Sequence, residues 1–345
     1  MGTTFDTSET GRSKMGKRMP FSETDAVLLS LIIPVYNGSK HLAGFQNTIE
    51  RVPKDCSIQI VVVDDASTDG TPDVLAQVLK ASGLNFCLQV IEKNVGPGGA
   101  RNVGRNNALG RYVAFVDFDD EFSVNGFLSL AMKLKEYSSN VGIARYEAII
   151  HNRRHAGSND YQVSQVLDAR SRVLSQVLDR VAPWRYVYER KWLLEHNLDF
   201  PESKPGGGED LLFLVKVDQA NPKVVVSEDI IYRYFLGHTG QMSTSKFDSE
   251  PRIFLLRELA CQSMRYQSDW EKVIIAEWFF RTWMVWIRNP TNRRNLTIVR
   301  YLGTWWTAGN SSGTLLKGIF VAYRQHRRWK RAWMTRPSNT HKTRN

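Results

Sequence analysis

Four carboxylates crowd the end of one apolar run: in VAFVDFDDEF, Val113 to Phe122, Asp117, Asp119, Asp120 and Glu121 follow almost directly on a hydrophobic stretch. Mutual repulsion makes such a cluster costly unless a cation or a set of donors shares it. On an extended strand, residues two apart share a face, so Asp117 and Asp119 are expected to point one way and Phe118 and Asp120 the other. Two carboxylates on one face suit a hard divalent cation, Mn2+ or Mg2+, with coordination positions left for phosphate oxygens. The competing reading is a solvated strand end or a set of helix caps. Asp120 and Glu121 are expected to cap or solvate the turn that follows.

Two other stretches carry chemistry. Gly96-Pro97-Gly98-Gly99-Ala100-Arg101-Asn102 opens like a dinucleotide fingerprint, but Arg101 holds the place of the third glycine, which counts against hydride transfer. Glycines opening a helix still present backbone N–H groups to an anion, and Arg101 adds charge. Arg101 is therefore either a phosphate or carboxylate ligand or an ion-pair partner for a strand-end aspartate. GGGEDLLFL joins a glycine loop to an acidic pair and an apolar helix, so Glu209 or Asp210 is either a general base at the edge of a crevice or an ordinary helix cap.

The elements that must position these groups alternate strand and helix in the manner of a parallel sheet. Strands are expected at Leu28 to Tyr36, Ile58 to Asp65, Phe86 to Lys93 and across VAFVD. Helices are expected around His41 to Arg51, after Thr71 as cap with Pro72 in the first turn, from Gly96, and from Ser123 as cap. Three strands end in polar residues, at Asp64-Asp65, Lys93-Asn94 and Asp117-Asp119, so their carboxyl ends should converge on one crevice.

The chain of 345 residues, 42% hydrophobic, can bury a substantial core. Cys56, Cys87 and Cys261 are scattered and form no CxxC pair, which fits a reducing cytoplasm and neither a zinc knuckle nor a disulfide framework. No stretch reaches the roughly 18 uninterrupted apolar residues of a membrane span. The net charge of +11 is unevenly placed: from Trp270 onward 15 Lys and Arg stand against Glu271 and Glu277, a net of +13 that leaves −2 for the rest. That imbalance points to an anionic partner for the C-terminal part.

Six stretches in order resemble the inverting family 2 glycosyltransferases with the GT-A fold: LIIPVYN, VVVDDASTDGT, NVGPGGARNVG, VAFVDFDD, GGED and YRYFLGHTGQMS, over roughly Leu28 to Lys246. The resemblance implies an α/β, Rossmann-like, mostly parallel-sheet domain over 27–246; by composition, the polar stretch 1–26 reads as a flexible arm and 247–345 as a helical, basic, aromatic-rich region. It further implies a UDP-sugar donor, a glycan or lipid-linked acceptor, and a role in envelope or capsule polysaccharide synthesis. On matching positions, Pro34, Val35 and Tyr36 would line the nucleobase pocket, Asp65 would contact base or ribose, and Lys93 would lie close by. Asp117 would approach the ribose or metal-bound water, and Asp119 would ligate the cation. Asp210 would deprotonate the acceptor, with Glu209 as neighbour, and His238 would complete the metal or phosphate site. Two positions depart from the pattern: Ala66 stands where glycine is common, and Phe118 stands inside DxD where a small residue is common.

Beyond Trp270, aromatic helices lead into YRQHRRWKRAW, Tyr323 to Trp333. Arginines mixed with tryptophans across 270–335 suit peripheral contact with an anionic membrane, on the inner face of the cell membrane, or else packing on the catalytic domain or an oligomer surface. Nucleic acid would also attract such a segment, but leaves the acidic crevice unexplained. A catalytically silent sugar-nucleotide binder or scaffold is the remaining alternative, against which stands the presence of both acidic motifs.

Overall fold

The computed structural model describes residues 27–54, 57–150, 153–156, 166–167, 182–201 and 208–236, and beyond these 258–263, 265, 272–273, 275–276, 279–280, 305 and 310–320. The expected arm at 1–26, His238 and the run Tyr323 to Trp333 lie outside the described residues.

The chain opens with β1 (Leu29–Val35), a short 3-10 turn and α1 (Leu42–Glu50), then β2 (Ile58–Asp64), α2 (Thr71–Ser82), β3 (Asn85–Val90), α3 (Gly96–Asn107) and β4 (Tyr112–Phe115). After β5 (Glu121–Phe122) come α4 (Val124–Tyr137), β6 (Val141–Ile150), β7 (Arg153–Ala156), β8 (Val166–Leu167), β9 (Tyr186–Glu189), α5 (Arg190–Glu195), α6 (Glu209–Gln219) and β10 (Val224–Leu236). The principal sheet order is β3-β2-β1-β4-β9-β6-β10-β5, with β7 on β6 and β8 on β10. Strands β3, β2, β1 and β4 are parallel, as the alternation of elements predicts. The far half is mixed, because β9 enters antiparallel between β4 and β6.

Alternation along the strands sends side chains to two cores. Leu29, Leu31, Ile33 and Val35 of β1 and Ile58, Ile60 and Val62 of β2 join Phe45, Leu75, Phe127 and Leu130 from α1, α2 and α4 on one face. Ile32, Val61, Val63 and Phe115 join Tyr188, Phe200 and the α6 residues Leu211 to Val215 on the other. Leu259, Ile275, Phe279, Trp305 and Leu315 are buried in that second cluster, so the described part of the C-terminal region shares a core with the sheet. The described residues beyond 257 are helical apart from 265, 310 and 311.

Because β1 has β2 on one side and β4 on the other, the strand order reverses between β1 and β4. A crevice outside the carboxyl ends of the strands at such a reversal is where open α/β sheets bind ligands. The β1–α1 loop and the turn after β4 both emerge there. Gly104 lets α3 lie against β1, since a Cβ at that position would collide with Ile32.

Three local expectations need correction. β3 stops at Val90, three residues before Lys93. The N-cap position of α2 is Gly70, and Thr71 is the first helical residue rather than the cap; Asp69 Oδ1, just before the cap, accepts the backbone N–H and hydroxyl of Thr71. β4 ends at Phe115, and Asp117 to Asp120 form a turn rather than an extended strand end. Ser123 does cap α4, its Oγ accepting the Gly126 N–H at 3.1 Å.

Candidate functional site

The turn after β4 keeps the alternation of burial even though it is not extended. Asp117 is partly exposed and Asp119 exposed, while Phe118 and Asp120 are buried. Phe118 packs beneath the turn with its ring centroid 4.6 Å from that of Phe45. Gly38 accommodates it, since a Cβ there would come within 2.8 Å of the Phe118 ring. Asp120 is not the solvated bystander the sequence reading expects: it accepts the Tyr232 hydroxyl at 2.8 Å.

Arg101 organises the centre. The second turn of α3 carries it beneath the crevice, where its side chain is 4% exposed and reaches Asp117 Oδ1 at 2.8 Å and Asp210 Oδ1 at 2.7 Å. The Phe200 ring lies 5.3 Å from the guanidinium carbon. Of the two readings left open by the sequence, the ion-pair partner is the one built into the fold. Asp210 and Glu209 enter from the first turn of α6, after Gly208 at φ 79°. α3 and α6 meet closely at this point, for a Cβ on Gly98 would lie 3.2 Å from Glu209 Cγ.

Three carboxylates thus surround one cation. Burial raises Asp210 from the ordinary aspartate value to about 7, opposed by Arg101 and reinforced by the charges of Glu209 and Asp117. Burial likewise raises Glu209 and Asp117, with Arg101 as the main opposing influence on each. One arginine cannot neutralise three carboxylates, so a proton or a further cation is favoured at the cluster.

The donor set fits a divalent cation. Asp117 and Asp119 are hard oxygen ligands two residues apart on a partly exposed turn, and the Asp119 charge is near enough to raise Asp117. Among the described residues no group of three or more acidic, His or Cys side chains could hold a metal by itself. One or two carboxylates completed by substrate phosphates is the usual way Mg2+ is held.

Pro34 and Val35 end β1, and Tyr36 follows them with its side chain 54% exposed at the crevice mouth. Asp65 is buried, and its two oxygens accept the backbone N–H groups of Val95 and Gly96 at 2.8 and 2.9 Å. Burial raises it while those amides hold it down. Lys93 is exposed in the connection between β3 and α3. Sequence reasoning missed the clasp between the two loops beside Tyr36: Thr68 N–H donates to Asn37 Oδ1, Asn37 N–H to Ser67 Oγ, and Ser39 N–H to Asp69 Oδ2. The Asn, Ser, Thr and Asp content of VYNGS and ASTDGT was the available signal.

The fold is of the GT-A type. The crystal structure of Staphylococcus aureus TarS 1–349 in complex with UDP-GlcNAc matches at TM-score 0.59 and 24% identity, over 82% of this chain and 79% of that one. Residues 30–189, just under half of the chain, match the family described as glycosyl transferase family 2. It is 28% identical over 233 residues to the S. aureus poly(ribitol-phosphate) beta-N-acetylglucosaminyltransferase TarS, covering 67% of this chain and 39% of TarS. It is 26% identical over 215 residues to the Bacillus spizizenii poly(ribitol-phosphate) beta-glucosyltransferase, covering 62% of this chain and 33% of that enzyme. The matches therefore span well under half the length of these two relatives.

Proposed function

We propose that the chain transfers a sugar from a UDP-sugar to a hydroxyl of a cell-envelope glycan or lipid-linked acceptor, with inversion at the anomeric carbon. The observation that carries this reading is the Arg101 bridge, which ties a candidate base, Asp210, to the acidic turn that would face the donor diphosphate. The complex of TarS with UDP-GlcNAc supports a UDP-sugar as donor class.

In this reading Tyr36 lies beside the base, with Pro34 and Val35 as pocket wall. Asp65 acts there by fixing the start of α3, and Lys93 adds positive charge close by. The acceptor hydroxyl attacks the anomeric carbon while Asp210 takes its proton. The bond from that carbon to the diphosphate oxygen breaks as the new bond forms, and its electron pair leaves with UDP. A base raised to about 7 is matched to proton removal near neutral pH. Glu209 sets the local charge, and Arg101 keeps Asp210 aimed. A divalent cation held by Asp119 and Asp117, with His238 as a further ligand, would neutralise the charge developing on the leaving diphosphate.

The catalytic unit in this proposal is 27–246, and 247–345 extends it. The basic surplus beyond Trp270 supports an anionic neighbour for that extension, either a polyanionic acceptor or the membrane face carrying it. The test is UDP release from a panel of UDP-sugars with and without Mn2+, with Asp119→Ala as control. Release that depends on Mn2+ and falls in the variant supports the reading, and release indifferent to both contradicts it.

A further inference from the structure

The acidic turn is held from a distance by a strand that enters more than 100 residues later. β10 pairs antiparallel with β5, setting Tyr232 opposite Phe122 and Arg233 opposite Glu121. Ser123 N–H donates to Ile231 O at 2.8 Å, so the chain leaving the turn is fastened to β10 by its backbone. On the entering side, Val116 N–H donates to Ile32 O at 3.0 Å. Between these anchors, the Tyr232 hydroxyl accepts the Asp117 backbone N–H at 3.2 Å and donates to Asp120 Oδ2 at 2.8 Å. A single buried oxygen thus spans the turn from its first aspartate to its last.

The Tyr232 ring leaves that hydroxyl little freedom. It is 1% exposed and stacks on Trp184 at 4.1 Å between centroids with 7° between planes, while Tyr146 meets Trp184 edge-on at 5.2 Å. The Phe122 ring lies nearly parallel to the Tyr232 ring at 6.4 Å. Phenylalanine would fill the same space and make the same stack, so packing alone does not account for the hydroxyl. Its two hydrogen bonds end on the turn that carries Asp117 and Asp119.

We propose that Tyr232 is a positioning residue for this site: its hydroxyl, aimed by Asp120 and the Trp184 stack, fixes the backbone of the turn so that Asp117 and Asp119 meet the cation and diphosphate together. The inference rests on the reading of that turn as the metal and diphosphate site. Without the hydroxyl, the Asp117 N–H and Asp120 lose this shared partner, and the turn can relax while the fold around it stays intact. Two carboxylates on a turn, one exposed and one partly so, gain affinity for a cation only when held at a fixed separation.

The experiment titrates Mn2+ against the full chain at fixed UDP and reads the Mn2+ concentration giving half of the UDP-dependent thermal stabilisation. Tyr232→Phe is expected to melt within about 5 °C of wild type and to need at least about tenfold more Mn2+. Asp120→Asn, which keeps an acceptor for the phenol, is expected to follow the wild-type curve, while Asp120→Ala shifts in the same direction as Tyr232→Phe. If Tyr232→Phe fails to fold, that pair of Asp120 variants decides the matter. A Tyr232→Phe curve overlying wild type, with the UDP-linked Mn2+ response lost in Asp119→Ala, overturns the positioning role alone. An Asp119→Ala curve overlying wild type overturns the site reading and this inference with it.

Discussion

Arg101 Nη1 lies 2.7 Å from Asp210 Oδ1, and this pair joins the second turn of α3 to the first turn of α6 across the crevice. The same guanidinium reaches Asp117, which lysine could not reproduce, because an ammonium lacks the rigid fork that serves two carboxylates in fixed directions. Arg101→Lys is expected to lower kcat for UDP release by about 100-fold or more. Arg101→Met, which leaves three neighbouring acids, Glu209 among them buried, without their shared cation, should in addition lower the melting temperature by several degrees, read by calorimetry.

The raised Asp210 makes activity and stability run in opposite directions with pH. The folded state holds the Asp210 proton up to about 7, whereas the unfolded chain releases it near 3.8. The contribution to stability is therefore largest at low pH and is lost as pH rises through about 7. Proton abstraction needs the ionised form, so kcat/KM should climb over that window. Melting curves and initial rates recorded from pH 5.5 to 8.5 check both trends, and Asp210→Asn should flatten each.

Ala66 has φ 63°, in the left-handed region that favours glycine. The departure of Ala66 from glycine is thus a backbone strain beside the loop clasp. Ala66→Gly is expected to stabilise the fold by about 0.5–1 kcal/mol, the left-handed cost less the entropy of glycine. Denaturant unfolding measures it, and activity should be unchanged.

Leu259, Ile275, Phe279, Trp305 and Leu315 lie in the same core as α6 and Phe115. Truncation after residue 257 removes all five, each contributing roughly 1.5–3 kcal/mol by burial. The shortened chain is expected to aggregate or to lose near-ultraviolet circular dichroism. Truncation after residue 320 keeps them and should retain a cooperative melt and UDP binding.

The parallel half of the sheet was legible because β1, β2 and β4 are short, β-branched runs ending in turn residues, a pattern with few alternatives. The meeting of Asp117 with Asp210 was legible only as a convergence of motifs, since periodicity says nothing about which strand ends face each other. The extended geometry expected for DFDD failed because Phe118 is drawn down against Phe45 and Asp120 toward Tyr232, contacts with distant segments that local sequence does not encode. Asp120 was misread for the same reason: its partner lies 112 positions away. The cap on α2 was misassigned by one residue because Thr71 is a good cap by type, whereas the left-handed Gly70 at φ 80° takes that position and starts the helix at Thr71.

The central claim is that Asp210 removes the acceptor proton while the acidic turn holds the donor. Asp210→Asn tests it most directly when UDP binding and UDP-sugar turnover are measured on the same preparation in Mn2+ at pH 8. The account predicts UDP affinity within about threefold of wild type and a kcat lower by about 100-fold or more. Turnover at the wild-type rate in Asp210→Asn, with unchanged pH dependence, would contradict it.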